Sequence, residues 1–283
     1  MEIGIFTKTF VRPTLEEVLD ALRQHGFKSV QFNMESAGGL PMPDCLELDL
    51  CDLIRGEMAA RGMAMAAVSG TFNIIHPDPQ ERDRGFQRLR QLAAACARLG
   101  TSLITFSTGT RNSEYMWGHH PENASSGAWA DMLDSMGEAV QIAAQHDVTL
   151  VFEPEVSNVV DSAQKARSLL DEIQSPHLKV VIDGANLFHA GELPRMREIL
   201  DEAFDLLGAD IALAHAKDLV QDGDAGNQAA GTGVLDYDHY VGLLRAAGFD
   251  GTLILHSLEE EQVRQSLAFL QAKLAKNTQG EKR

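Results

Sequence analysis

LKVVIDGANLF, residues 178–188, is an apolar run that stops on a bare carboxylate. Leu178, Val180, Val181 and Ile182 show no helical period, which suits a strand covered on both faces. Asp183 closes the run, with Gly184 and Asn186 just beyond. Three further runs behave alike: VTLVFE (148–153) ends on Glu153, IALAHAKD (211–218) carries His215, and TLILH (252–256) ends on His256. The intervals of 30, 32 and 41 residues between these four groups each have room for one helix and one strand.

Upstream, EIGIF (2–6), SVQFN (29–33), MAMAAVSG (63–70) and SLITFS (102–107) bring the strand candidates to eight. Amphipathic stretches lie between them, at 14–25, 83–99, 128–146, 162–173, 194–207, 237–247 and 259–273. Thr14 and Glu17 form a capping-box pattern, and Gly26, Gly62, Gly100, Gly208 and Gly248 fall where helices should end. Eight βα units in 283 residues match a closed parallel barrel, a single (β/α)8 TIM barrel. No linker divides the chain, so residues 1–283 are expected to form one domain, with a disordered tail at 276–283. An open doubly wound sheet would normally carry a glycine fingerprint after its first strand, and GIFTKTF (4–10) has none.

In a closed parallel barrel all strand tips meet at one mouth, where barrel enzymes place their chemistry. Glu153, Asp183, His215 and His256 would then share it. One acid or histidine at a strand end is an ordinary loop cap; four in successive units suit a divalent metal. The mixed oxygen and nitrogen donors are compatible with Mn²⁺, the first expectation, and with Mg²⁺, Co²⁺ or Zn²⁺.

Charge and composition narrow the partners. The formal charge is −17, from 24 Lys+Arg against 41 Asp+Glu, and no basic stripe exists to grip a phosphate backbone. A small or neutral ligand fits better than nucleic acid. No apolar stretch is long enough for a transmembrane helix, and the N-terminus lacks the pattern of a signal peptide. Cys45, Cys51 and Cys96 form no disulfide or metal pattern, so a reducing cytoplasm is expected.

The chain resembles the sugar phosphate isomerase/epimerase family, xylose isomerase-like TIM barrels that also include endonuclease IV-type enzymes. The resemblance covers nearly the whole chain. It is carried by FEPEVSNVV (152–160), VVIDGANLF (180–188) and AHAKDL (214–219), with support from SGTFNIIHPD (69–78) and STGTRNSEYMWGHHPENASSGAW (107–129). In the family's sugar epimerases a Glu, an Asp, a His and a second Glu hold one metal. Glu153, Asp183 and His215 match the first three positions. His256 stands where the second Glu is usual, and Asn186 stands where ketose 3-epimerases carry a substrate-contacting His. In those epimerases the two glutamates are also opposed acid and base, so one of the pair is missing here.

Other residues around the mouth complete the expected site. Arg111 could clamp a substrate oxygen through its planar fork. His76, Trp117, His120, Glu155, Asn158 and Asn186 are candidate substrate contacts. Lys217 shares strand parity with His215, so it should face inward as an acid/base group. The glycine-rich run QDGDAGNQAAGTG (221–233) reads as a mobile loop over the mouth.

These features, with the resemblance, imply an isomerase or epimerase acting on a sugar or keto-sugar, as a monomer or homo-oligomer, away from membranes. Lewis-acid polarisation by one divalent ion would acidify a C–H next to a carbonyl, and the reaction would pass through an enediolate. Glu153 would be ligand and general base, with His256 or Lys217 returning the proton. A metal-dependent lyase or dehydratase on a keto-sugar or cyclitol is the alternative within this chemistry. A non-catalytic sugar-binding relative and an endonuclease IV-like nuclease rank below both.

Overall fold

The computed structural model describes residues 1–280, with side chains through residue 276. Its strands are β1 (Glu2–Phe6), β2 (Ser29–Phe32), β3 (Ala64–Ser69), β4 (Leu103–Phe106), β5 (Thr149–Phe152), β6 (Leu178–Asp183), β7 (Ile211–Asp218), a two-residue β8 (Gln228–Ala229) and β9 (Thr252–Leu255). All except β8 pair in parallel, β1 through β7 in sequence order apart from the β1–β7 gap that β9 bridges. The result is a closed eight-stranded parallel barrel. β8 turns back antiparallel on the end of β7. Outside lie α1 (Leu15–Gln24), α2 (Leu48–Ala60), α3 (Pro79–Leu99), α4 (Ser126–Gln145), α5 (Ala163–Ile173), α6 (Met196–Leu207), α7 (Tyr237–Ala246) and α8 (Glu260–Gly280).

The helices begin where short polar side chains can take up free amide groups. Thr14, Asp78, Ser125, Ser162 and Asp236 each accept a backbone N–H of the first turn that follows. Gly100 closes α3 at φ 87°, a conformation costly for residues with a Cβ, whereas Gly208 stays right-handed at φ −51°. Helix α2 is absent from the sequence reading. Only Cys51, Ile54 and Met58 are buried on it, a stripe too thin to stand out beside Gly56 and the preceding Pro41 and Pro43. Of the tail expected at 276–283, residues 281–283 lie outside the described residues, and α8 runs to Gly280. No helix among the described residues is long and apolar enough to cross a membrane.

Strand alternation decides which side chains enter the barrel. Ala67, Val151, Val181, Leu213 and Ile254 form a separate apolar cluster, with Phe6 and Leu103 against it. The intervening residues, such as Leu150, Phe152, Val180, Ile182, Leu253 and Leu255, belong to the larger cluster packed under the helices. Two residues beyond Val151, Val181, Leu213 and Ile254 on the same faces are Glu153, Asp183, His215 and His256. The barrel filling therefore ends in polar groups at the C-terminal end.

Candidate active site

Glu153, Asp183 and His215 converge at that end, each offering a ligand atom within 4.8 Å of the others. His215 Nδ1 lies 3.4 Å from Glu153 Oε1 and 3.7 Å from Asp183 Oδ2. Lys217, on the same face of β7 as His215, brings its ammonium 3.1 Å from Asp183 Oδ2 and 3.5 Å from Glu153 Oε1. Asp183 is fully buried; its Oδ1 accepts the Ala185 N–H at 2.9 Å, while Oδ2 accepts no hydrogen bond of good geometry.

His256 stands beside this group. Its ring is stacked between Phe6, at 4.6 Å between centroids, and His215, at 4.8 Å. Its Nδ1 lies 3.2 Å from Ser257 Oγ. Ser257 itself takes a left-handed backbone, φ 53°, where the chain turns off the rim. Loss of water around the ring, then the neighbouring His215 and Lys217, holds His256 well below the ordinary imidazole value, so the ring is neutral.

Burial works to raise both carboxylates, and Lys217 opposes it. For Glu153 the positive neighbours win, led by Lys217, and its pKa falls below the ordinary range. Asp183, more deeply buried and facing the Glu153 charge, ends above its ordinary value. Lys217 is driven up in turn, because the two acids outweigh the cost of burying its charge.

Gln31, on β2, orients the ring of His215. Its Oε1 lies 2.9 Å from His215 Nε2, and its amide nitrogen donates to Ser69 Oγ and Thr105 Oγ1 at 3.3 and 3.5 Å. With the amide turned that way, His215 Nε2 is the donor to Gln31, and Nδ1 is turned toward Glu153. Sequence inspection does not single out Gln31, although a glutamine on an inward position of an apolar strand is a signal. Tyr237 and Tyr240 also act unannounced. Tyr237 Oη donates to the Lys217 carbonyl at 2.6 Å, and Tyr240 Oη reaches the Ile182 and His215 carbonyls at 3.1 and 3.0 Å. On α7 their rings pass for ordinary core.

Asn186 Nδ2 donates to Glu153 Oε1 at 2.6 Å, and its Oδ1 accepts the Gly226 N–H at 2.9 Å. Both ends of the amide are engaged, so Asn186 presents a fixed donor to Glu153. Glu155 and Asn158 brace the β5–α5 loop. The Glu155 carboxylate accepts Ser157 N–H and Asn158 Nδ2 at 2.8 and 2.6 Å, and Asn158 Oδ1 accepts Ser107 Oγ and Gly109 N–H at 2.8 and 3.1 Å. Burial pushes the Glu155 carboxyl up to about 7 against these bonds.

The remaining candidates have partners of their own on the neighbouring loops. Arg111 pairs with Asp131 on α4 at 2.5 Å and reaches the Ile75 carbonyl, which turns its fork toward the helix layer. His120 caps the short 3-10 helix Pro121–Ala124 by accepting the Glu122 N–H. Trp117 is 37% exposed on the same loop. His76 accepts the Asp78 N–H, faces the Ser113 carbonyl at 3.1 Å, and lines a groove of ≈ 360 Å³ with Leu40, Phe72 and Glu114.

The 221–233 run, expected to be mobile, is tied to the barrel. Asp218 accepts the N–H groups of Leu219, Leu235 and Gly231 at 2.9, 2.9 and 3.0 Å. Gly223 and Gly226 donate to the Phe188 and Ala185 carbonyls. The glycines serve close approach here: a Cβ on Gly233 would stand 2.2 Å from the Leu219 carbonyl oxygen.

The donor set fits a divalent ion. Two carboxylates and an imidazole nitrogen converge, and one buried carboxylate oxygen accepts no hydrogen bond of good geometry. Gln31 supplies the outer hydrogen bond that metal-binding histidines use to fix their orientation.

Known proteins of this shape agree in fold. A ketose 3-epimerase of Arthrobacter globiformis is 22% identical over 278 residues, 95% of this chain and 87% of that protein. The crystal structure of a D-tagatose 3-epimerase-like protein superposes with a TM-score of 0.79 at 14% identity, covering 99% of each chain. That of a probable 3-DHS dehydratase from Bacillus anthracis gives 0.74 at 14% identity, over 96% of this chain and 99% of the other. The family model described as xylose isomerase-like TIM barrel matches residues 19–273, and the chain belongs to that family.

Proposed function

We propose that the chain is a divalent-metal-dependent isomerase or epimerase acting on a sugar or keto-sugar. The convergence of Glu153, Asp183 and His215 on one point at the barrel's C-terminal end carries this reading. The ketose 3-epimerase relative supports the substrate class. A reducing, cytoplasmic setting suits the free Cys45, Cys51 and Cys96.

Glu153, Asp183 and His215 would hold the ion, with Mn²⁺ the first choice. When bound, it supplies Lewis-acid polarisation of a substrate carbonyl and the adjacent hydroxyl. Glu153 is the general base: Asn186 fixes its Oε1, and its Oε2 accepts no hydrogen bond among the described residues. Its lowered pKa keeps it ionised and ready at neutral pH. Lys217, with its positive charge, faces the negative charge that develops on the substrate and can return a proton. His256, neutral and stacked against His215, is the other acid/base group.

His256 also favours a second reading. Where a carboxylate would oppose Glu153, a neutral imidazole held by Phe6 and His215 gives a one-sided base. A single base suits proton removal followed by loss of a β-substituent, so a lyase or dehydratase is the alternative. Both readings are tested by ¹H NMR in D₂O with Mn²⁺-loaded then demetallated protein, across ketoses, aldoses and cyclitol ketones. Wild type should exchange a C–H proton, and Glu153→Gln should exchange at least about a thousandfold more slowly, because an amide is no base. Exchange with a new epimer marks the first reading; exchange with an unsaturated product marks the second. Wild-type exchange rates in Glu153→Gln would refute both.

A further inference from the structure

We infer that the Lys217 ammonium is a built-in cation that holds the Glu153–Asp183 pair in register until a divalent ion displaces it, so that loading the centre frees Lys217 toward the substrate. The inference deepens the proposed function and rests on its divalent-ion reading.

The geometry puts two cations in competition for the same atoms. Lys217 Nζ contacts Asp183 Oδ2 and Glu153 Oε1 at 3.1 and 3.5 Å. These are the two oxygens nearest His215 Nδ1, at 3.7 and 3.4 Å. A divalent ion held by Glu153, Asp183 and His215 would draw on the same two carboxylates. Its charge would then sit close to the ammonium in a site with little water to separate them, and Lys217 and Asp183 are both buried.

The charge count explains why the lysine is there. Two buried carboxylates without a cation would repel each other and lose their hydration. Lys217 neutralises one of the two charges, and Asn186 adds a neutral donor to Glu153. The centre is therefore assembled before any ion arrives, at the cost of weaker ion binding.

The backbone allows the exchange to be a side-chain movement alone. Tyr237 Oη holds the Lys217 carbonyl at 2.6 Å, and Asp218 is fixed by three N–H groups. The four-carbon stem of Lys217 can swing while its Cα stays in place.

Isothermal titration with MnCl₂ on metal-free wild type and Lys217→Met tests this without an activity readout. The methionine keeps most of the stem and removes the charge. Mn²⁺ should bind Lys217→Met about tenfold tighter or more. Metal-free Lys217→Met should melt below metal-free wild type, and saturating Mn²⁺ should close that gap. Equal or weaker Mn²⁺ binding by the variant would overturn the inference while leaving the metal reading intact; no binding by either protein would overturn both. A second measurement uses wild type alone. The ¹⁵N–¹H resonance of the Lys217 ammonium should move when diamagnetic Zn²⁺ binds, and an unmoved resonance at full Zn²⁺ occupancy would overturn the inference even where Lys217→Met does not fold.

Discussion

Four residues of the site show how far a side chain's type foretells its task. Asp183 and Glu153 are legible as strand-end carboxylates, because an ionised group after an apolar run needs a reason to be there. Gln31 is not, since an amide does equal duty in a turn, a core or a site, and for Asn186 the sequence offers a position but no task; only placement shows that Gln31 orients His215 and Asn186 orients Glu153. Arg111, another charged candidate, pairs with Asp131 on α4. Glu155 gives a measurable case of environment overriding type. Its folded pKa of about 7 lies above the ordinary carboxylate value. The folded protein therefore binds an extra proton between about pH 4.5 and 7, so this group's contribution to stability falls as pH rises through that window and levels off above it. The ¹³C carboxyl resonance of Glu155 should titrate with a midpoint near 7. A midpoint near 4.5 would show that the bonds from Ser157 and Asn158 outweigh burial.

At the scale of elements, periodicity finds what packing makes periodic. The four strands of the second half are readable because each is buried over most of its length and so is dominated by apolar residues. Helix α2 escapes for the same reason inverted, with three buried residues in its thirteen. The 221–233 run defeats composition altogether: four glycines read as flexibility, yet the backbone is held by Asp218, β8 and the β6–α6 loop. The information lies in a carboxylate more than ten residues away from part of what it binds. Asp218→Ala removes the acceptor for three N–H groups at once and should cost about 3 kcal/mol, read from urea unfolding. Limited proteolysis should then cut within 219–233 at a rate well above that of wild type. Unchanged cleavage would mean that β8 and the glycine contacts suffice to hold the loop.

For the whole molecule, closure of the barrel is what turns four separated strand tips into one centre, and neither the closure nor the centre depends on the surface charge. The surface charge does affect how the centre must be tested. With 24 basic against 41 acidic residues, self-repulsion destabilises the compact state, and any salt relieves it by screening. NaCl alone should therefore raise Tm, and a rise in MnCl₂ proves nothing unless ionic strength is matched. At matched ionic strength Mn²⁺ should raise Tm further, with an excess that grows with the logarithm of free Mn²⁺ once the site is mostly filled and vanishes with EDTA. Asp183→Asn should keep the NaCl response and lose the Mn²⁺ excess, because the amide removes a charged ligand whose buried Oδ2 accepts no hydrogen bond of good geometry. Identical melting of wild type in the two salts at every concentration would place Mn²⁺ among the screening ions, and Glu153, Asp183 and His215 would then be an internal ion-pair network closed by Lys217 instead of a metal centre.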